Sequence, residues 1–287
     1  YMTLTTISKE EFTSFANTVS HRSFIQSAEM ADLLEKRGNT VQFIAWKQED
    51  QVQVAAILYS LPMTGGLHME INSGPLYQEE AMLEPFYAAL KDYAKENGAI
   101  ELVIKPYDTY QTFDSDGNPT SEEQTHFMDT LKNLGYQHDG LTTGYPGGEG
   151  DWHYVKDMEG ITEKNLLKSF SKKGKPLVKK AKSFGIELKR LNRDELQLFK
   201  DITSSTSDRR DYQDKTLDYY QTFYDSFGDN ADFMIATLNF HHYYTNLEKD
   251  QGKLAQKIEK LQKDLEVNPH SEKKQNQLRE FSSQFDT

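Results

Sequence analysis

The 287-residue sequence contains no cysteine. A disulfide framework, a thiolate metal site and a cysteine nucleophile are therefore excluded. Long apolar runs are also absent, since no stretch reaches the roughly 18 residues that a membrane-spanning helix requires. The first residues lack the basic and apolar segments of a secretory signal peptide. We therefore expect a soluble cytoplasmic protein.

The sequence motifs of several common enzyme classes are missing as well. There is no Ser/His/Asp order, dinucleotide-binding fingerprint or metal-spaced histidine cluster. His241 and His242 have no third ligand at a suitable spacing, so a surface or packing role is favoured over metal binding. The glycines of residues 145–148 follow no strand and begin no helix, which favours a turn over a phosphate-binding loop. We expect neither a metal nor a cofactor.

Basic residues are outnumbered by acidic ones, 33 to 45, which gives a net charge of -12. Such a balance disfavours a nucleic-acid partner unless the lysines and arginines are concentrated in one place. They are concentrated in residues 164–182, here called the lysine run, which contains eight lysines and no acidic residue. One interpretation of the run is a solvated helix face. The other is a phosphate-binding surface, in which Gly174 and Pro176 divide the run into two short helices whose ammonium groups gather around the phosphates.

Hydrophobic periodicity predicts the same order of elements, strand, helix, helix and strand, in two parts of the chain. The first part has a strand at 3–6, helices at 8–19 and 27–37, and a hairpin of strands at 41–46 and 52–59. The second part has a strand at 186–191, helices at 195–204 and 216–227, and a strand at 231–238. Capping boxes begin the first helix of each part, at Ser8 and at Asn192. We interpret this order as a fold-level duplication.

Between these parts, apolar spacing and glycines predict a helix at 79–97, a strand at 100–104, a helix at 122–134 and a strand at 152–155. After them, five apolar residues recur seven, four, three and four positions apart: Leu247, Leu254, Ile258, Leu261 and Leu265. Such spacing is typical of a coiled-coil seam. A turn at 268–270 and the apolar residues Leu278, Phe281 and Phe285 predict a returning helix.

A second polar cluster follows the first helix of the second part, at residues 208–212 and at Lys215 and Tyr219. Lys215 and Tyr219 stand one helical turn apart, so their side chains can face the same ligand. The alternative is that Tyr219 joins Tyr220 and Phe223 in a buried aromatic face.

Together these features resemble the FemA, FemB, FemX, MurM and MurN family of tRNA-dependent aminoacyltransferases. The similarity rests on the strand order, the coiled-coil arm and four segments: residues 24–27, 72–75, 172–185 and 208–220. It implies an α/β (α+β) fold of two GNAT-like acyltransferase subdomains with an inserted antiparallel coiled-coil arm. We expect the first subdomain at 2–150, an incomplete second subdomain at 151–243 and a truncated arm at 244–287.

The resemblance further implies that an amino group of a peptidoglycan precursor attacks the ester of an aminoacyl-tRNA. An aminoacyl ester is already activated, so positioning and oxyanion stabilisation can supply much of the rate. The implied partners are aminoacyl-tRNA and a lipid-linked or UDP-linked muropeptide. The implied location is the inner face of the plasma membrane, with a peripheral contact to it.

The family pattern also suggests site residues. Lys215 and Tyr219 match the basic residue and the tyrosine that hold the precursor diphosphate, with Arg209 close by. The family's further lysine corresponds to Leu34, and its nearest substitutes are Lys36 and Arg37. The contact to tRNA or phosphate is expected from Lys172, Lys173, Lys179 and Lys180. No catalytic residue is assigned, because the family's reaction-centre lysine corresponds to no position in this sequence.

Two other functions stay open. One is an N-acyltransferase of the same superfamily that uses acyl-CoA, although its pyrophosphate loop, Gln/Arg-x-x-Gly-x-Gly/Ala, is missing. The other is a coiled-coil scaffold without catalysis, which would explain the arm but not the duplicated α/β units.

Overall fold

The computed structural model describes residues 2–145 and 149–287. Three residues of the turn expected at 145–148, namely Pro146, Gly147 and Gly148, lie outside the described residues. The chain divides into two compact units. The first contains the residues up to His153 together with Asp211–Ala231, and the second contains Tyr154–Arg210 and Asp232–Thr287. The expected boundaries at 2–150, 151–243 and 244–287 stay a prediction.

The elements follow in chain order. The strands are β1 (Met2–Thr6), β2 (Thr40–Gln48), β3 (Gln51–Met63), β4 (Gly66–Asn72), β5 (Leu76–Tyr77), β6 (Ala99–Lys105), β7 (Ile186–Arg190) and β8 (Met234–Leu238). The α-helices are α1 (Lys9–Ala16), α2 (Ala28–Lys36), α3 (Leu83–Glu96), α4 (His126–Asn133), α5 (Gly174–Ser183), α6 (Leu196–Arg210), α7 (Leu217–Phe227), α8 (Phe240–Val267) and α9 (Glu272–Asp286).

The first unit is built on a six-stranded sheet in the order β1-β2-β3-β4-β6, with β5 paired to β3. Every pair is antiparallel except β4 and β6, which are parallel. The predicted hairpin of β2 and β3 is confirmed, and both strands extend beyond their predicted ends. The sheet therefore has a parallel pair whose carboxyl ends, at Asn72 and Lys105, lie side by side.

Helices cover both faces of this sheet. Because side chains alternate along a strand, β3 directs Val54, Ala56 and Leu58 to one face and Ala55 and Ile57 to the other. One face packs against α3, through Leu83, Phe86, Tyr87 and Leu90, and the other packs against α1, through Phe12, Phe15 and Ala16. Residues 54–58 of β3 are buried on both faces of the sheet, and they are apolar throughout.

The predicted helix starts of the first unit agree with the structure at two caps. Ser8 accepts a hydrogen bond from the Glu11 backbone N–H (3.1 Å), and Ser27 accepts one from the Met30 backbone N–H (3.2 Å). These N-caps satisfy donors that the first helical turn leaves unpaired. The strand predicted at 152–155 is wrong, since these residues pair with no described strand and Tyr154 and Val155 are 103% and 90% exposed.

The second unit contains an antiparallel pair, β7 and β8, together with α5 and α6. Asn192 and Glu195 form the predicted reciprocal capping box ahead of α6. The lysine run contains two short helical segments, as expected: a 3-10 helix at Leu167–Ser169 and α5. The break between them falls at residues 170–173, and Gly174 and Pro176 stand in the first turn of α5. Proline is tolerated there because the first turn requires no N–H from it.

The second unit ends in two antiparallel helices, α8 and α9. Gln251 donates to the Phe285 carbonyl (3.4 Å), Lys257 lies 5.4 Å from the centre of the Phe281 ring, and Lys274 pairs with Asp264 (3.4 Å). The outgoing helix thus meets the returning helix in reverse order, and the predicted returning helix after the turn at 268–270 is confirmed. Among the described residues, every helix is too short or too polar to cross a bilayer.

Candidate functional site

Helices α2 and α7 of the first unit pack against each other in opposite directions. The start of α2 meets the end of α7, where Asn230 donates to Glu29 (3.4 Å). In the middle of α2, Asp32 accepts a hydrogen bond from Ser226, near the end of α7 (2.9 Å). The end of α2 meets the start of α7, where Arg37 reaches Tyr219. This pair of helices brings together most of the residues that the sequence singles out for the precursor.

Tyr219 lies between two cations. The Arg37 guanidinium carbon lies 4.9 Å from the ring centre, and the Lys215 ammonium nitrogen lies 5.2 Å from it. Thr216 caps α7 by accepting from the Tyr219 backbone N–H (3.1 Å), which fixes the tyrosine in the first turn. Two cations beside a phenol form a suitable site for an anion with several oxygens. We call Arg37, Lys215 and Tyr219 the cation–tyrosine cluster.

Lys36 is held elsewhere. Its ammonium group pairs with Asp32 (2.8 Å) and donates to Ser226 (3.3 Å). The hydrogen bond from Lys36 is the main reason that the pKa of Asp32 is lowered, and the bond from Ser226 adds to it. Because Asp32 already balances its charge, Lys36 is a weaker anion ligand than Arg37. Sequence reasoning named Arg37 only as a substitute, while the structure places it on the tyrosine.

The remaining predicted residues belong to the second unit. Arg209 lies in the last turn of α6 and is exposed. Lys172 and Lys173 precede α5, while Lys179 and Lys180 lie within it, two turns further along. All four lysines are exposed, and none pairs with an acidic group of the described residues. The lysine run is therefore an uncompensated positive surface, as its composition predicts.

Gln26 connects two of the segments on which the family resemblance rests. Its side chain is buried, accepts from the Ile57 backbone N–H (2.8 Å) and donates to the Asn72 carbonyl (2.7 Å). A Cβ atom on Gly74 would lie 2.9 Å from the Gln26 amide carbon, so only glycine fits there. The segments at 24–27 and 72–75 thus hold each other, and with them the start of α2.

Asp108 is a candidate that sequence reasoning missed. It follows β6, receives a hydrogen bond from the Tyr77 hydroxyl, and lies next to Tyr107, whose ring stacks on His21 at 4.8 Å. Burial is the main cause that raises the pKa of Asp108. Perturbed carboxyl groups of this kind are found at functional sites as well as in structural hydrogen-bond networks. Its position just beyond a parallel strand was the available signal, because ligands commonly bind at that edge of a sheet.

Comparisons with known proteins confirm the family resemblance. The FemAB family profile matches residues 7–287. Aminoacyltransferase FemB of Staphylococcus epidermidis is 29% identical over 253 residues, which cover 86% of this chain and 61% of FemB. Aminoacyltransferase FemA of Staphylococcus aureus strain N315 is 26% identical over 291 aligned residues, which cover 99% of this chain and 69% of FemA.

A solved structure agrees in fold. The crystal structure of FemX superposes with a TM-score of 0.67 at 19% identity, covering 99% of this chain and 70% of FemX. The mixed α/β architecture is therefore shared with FemX. The chain spans about three fifths of the length of the FemB relative, 61%.

Proposed function

This chain belongs to the FemAB family, and we propose that it acts in aminoacyl transfer from aminoacyl-tRNA to an amino group of a peptidoglycan precursor. The names of its relatives support the reaction class, since FemA and FemB are both called aminoacyltransferases. The observation that carries the proposal within the structure is the cation–tyrosine cluster, which suits a diphosphate.

In the proposed reaction the amine nitrogen of the acceptor attacks the ester carbonyl of the aminoacyl-tRNA. A carbon–nitrogen bond forms, the carbon–oxygen bond to the terminal ribose breaks, and the proton lost by the amine balances the one gained by the ribose hydroxyl. Because the ester is activated, the protein needs mainly to hold both substrates in line. No covalent enzyme intermediate is required.

The precursor diphosphate is held by Arg37, Lys215 and Tyr219, with Lys36 contributing less. Arg209, which belongs to the second unit, stays a separate candidate for contact with the precursor. The tRNA or the precursor phosphates also contact the lysine run through Lys172, Lys173, Lys179 and Lys180. Both ligands are polyanions, which gives a strongly positive surface a purpose within an acidic protein. We also propose that the chain folds as two GNAT-like subdomains, that α8 and α9 form a coiled-coil arm, and that the protein acts at the inner face of the membrane.

A donor comparison tests this function. The protein is incubated with a muropeptide precursor and either radiolabelled aminoacyl-tRNA or labelled acyl-CoA, and label is followed in the precursor. We expect transfer from aminoacyl-tRNA alone. Transfer from acyl-CoA would assign the chain to the other acyltransferase class. Transfer of label from neither donor to the precursor would contradict the proposed reaction.

A further inference from the structure

Strand β6 forms one edge of the sheet in the first unit. It stands last in the order β1-β2-β3-β4-β6, and β4 is its one neighbour among the described strands. The outer side of its seven residues, Ala99–Lys105, forms no backbone hydrogen bond with any residue that the structure describes. A row of free N–H and C=O groups of this kind is a template on which another strand can pair.

The edge of β6 has few of the features that protect edge strands from such pairing. Its sequence, AIELVIK, contains neither proline nor glycine and is mostly apolar. A bulge places the extra residue, Ile100, at the start of the strand, where its side chain is 54% exposed. The five residues that follow, Glu101–Lys105, are regular, and they extend about 16 Å at 3.3 Å per residue.

The side chains of β6 complement an antiparallel copy of the same strand. Glu101, Val103 and Lys105 point to one face of the sheet, while Leu102 and Ile104 pack against the core on the other. With a twofold axis at Val103, Glu101 of each copy lies opposite Lys105 of the other, and Leu102 lies opposite Ile104. A parallel copy in register would instead place like charges opposite each other, which is unfavourable.

Both charged side chains are accessible for this contact. Glu101 is bound by His68 (2.6 Å) and Lys105 approaches Glu70 (3.6 Å), yet each of the two side chains is 50% exposed. Exposed ion pairs add little affinity, so these pairs act mainly by selecting the partner and its register. The other edge strand, β1, has no charged residue, so nothing comparable selects a second copy there.

We propose that two copies of this chain associate through β6, which pairs antiparallel with its own copy about a twofold axis at Val103. The two sheets then form one continuous sheet, and the apolar contacts of one copy continue into the other through Leu102 and Ile104. A twofold contact uses the same surface on both copies and therefore closes at a dimer. The contact uses neither the cation–tyrosine cluster nor the lysine run, so it is independent of the proposed function.

Charge reversal tests the pairing in its specific register. Sedimentation over roughly 1 µM to 1 mM is suitable, because so small a contact belongs among weak associations. We expect the parent chain to dimerise and either Glu101→Lys or Lys105→Glu to weaken dimerisation by about tenfold, since each places like charges opposite each other twice. An equal mixture of the two variants should dimerise like the parent, because every contact then joins a lysine to a glutamate.

The matched control reverses two exposed charges of α8, Glu248→Lys and Lys253→Glu. These variants change the net charge by the same amounts and should dimerise like the parent, both separately and mixed. Circular dichroism spectra of all four variants verify that the fold is retained.

The absence of cysteine from the chain allows a second test that keeps the charges of β6. Directly opposite positions of paired strands lie within the Cα separation of about 4.4–6.8 Å that a disulfide requires. Val103→Cys should therefore form a disulfide-linked dimer under mild oxidation several-fold faster than Val155→Cys, although Val155 is 90% exposed.

Two results would overturn the proposal. A parent chain that stays monomeric over the whole range, with no faster cross-linking at position 103, would assign the edge to a partner other than a second copy. A dimer that the charge reversals leave unchanged, or that the mixture of folded variants does not restore, would use another surface. Neither result bears on aminoacyl transfer.

Discussion

Gln26 links three segments of the first unit. Its amide joins β3 to the end of β4 and lies against Gly74. Both of its partners are backbone groups that no other described side chain satisfies. The start of α2, and with it Phe24, is therefore positioned by one buried hydrogen-bonded side chain rather than by apolar packing alone.

Gln26→Leu should destabilise the fold by about 2–4 kcal/mol, because it leaves the Ile57 N–H buried without its side-chain acceptor and removes the bond to the half-buried Asn72 carbonyl. Urea unfolding of the variant and the parent measures the difference. Gln137→Leu, at an exposed glutamine, is the control and should change the free energy of unfolding by less than about 0.5 kcal/mol. Equal effects of the two substitutions would show that the buried amide is not a structural link.

His68 is bound by two carboxylates on the strands β4 and β6. Its Nδ1 lies 2.6 Å from Glu101 and its Nε2 lies 3.1 Å from Glu70. Burial by itself lowers the pKa of His68, but the hydrogen bonds to Glu101 and Glu70 together outweigh it and raise the pKa above the ordinary 6.5. Tyr59 and Lys105 also contact Glu70 from the neighbouring strands.

A raised pKa in the folded state means that protonation of His68 stabilises the fold. This contribution is fully present below about pH 6.5 and is lost as the pH rises through the folded pKa. The difference in unfolding free energy between the parent and His68→Gln should therefore shrink between pH 6 and pH 9. A difference that stays constant over this range would contradict the bridged, protonated histidine.

At the scale of elements, the proposed contact of the lysine run with tRNA makes a prediction about charge. Replacement of Lys172, Lys173, Lys179 and Lys180 by glutamine should weaken binding of aminoacyl-tRNA without changing stability, since all four are exposed. If each lysine neutralises one phosphate, the slope of log Kd against log salt should fall by about 3. Filter binding across a salt series measures both quantities.

The matched control replaces four exposed lysines of the helices α8 and α9: Lys249, Lys253, Lys260 and Lys273. It removes the same charge and should change the slope less. If the two quadruple variants behave alike, the effect comes from net charge, and the lysine run is only a solvated face.

Most elements of the first unit were predicted from periodicity and caps, but β4 was missed. Its apolar residues alternate with His68 and Glu70, which is the pattern of a half-buried strand, so the signal was present in the sequence. Glu70 is nevertheless buried, because Tyr59, His68 and Lys105 satisfy it from three strands. The strand at 152–155 was predicted from β-branched and aromatic content alone, and it lacks a neighbouring strand.

At the scale of the whole molecule, the repeated order of elements is confirmed. Along the chain, α1 and α2 come between β1 and β2, and α6 and α7 come between β7 and β8. In each set the two strands pair with each other in antiparallel orientation. What the sequence could not predict is that α7 packs with the first unit, against α2. That contact joins residues about 190 positions apart, and local patterns carry no information about such pairs.

The same limit applies to the site. Lys215 and Tyr219 are four positions apart, so their proximity was predictable from spacing, although Lys215 precedes the N-cap Thr216 and lies outside α7. Which of Lys36 and Arg37 contacts Tyr219 was not predictable from the sequence. It depends on Asp32 and Ser226, which bind the Lys36 ammonium group away from the tyrosine ring. Nor does spacing show that Phe24 contacts Phe227 of α7.

The central claim is that the cation–tyrosine cluster holds the precursor diphosphate, and calorimetric titration with a UDP-linked muropeptide tests it most directly. Lys215→Ala should weaken binding by roughly 1.5–3 kcal/mol without lowering stability, because it removes a charge-assisted contact at an exposed residue. Tyr219→Phe should weaken it less, and Lys36→Ala should also weaken it less than Lys215→Ala, since the Lys36 ammonium group pairs with Asp32. Lys132→Ala, at an exposed lysine of α4, is the control and should leave binding unchanged. Unchanged affinity in both Lys215→Ala and Tyr219→Phe, or a larger loss in Lys36→Ala than in Lys215→Ala, would contradict the account.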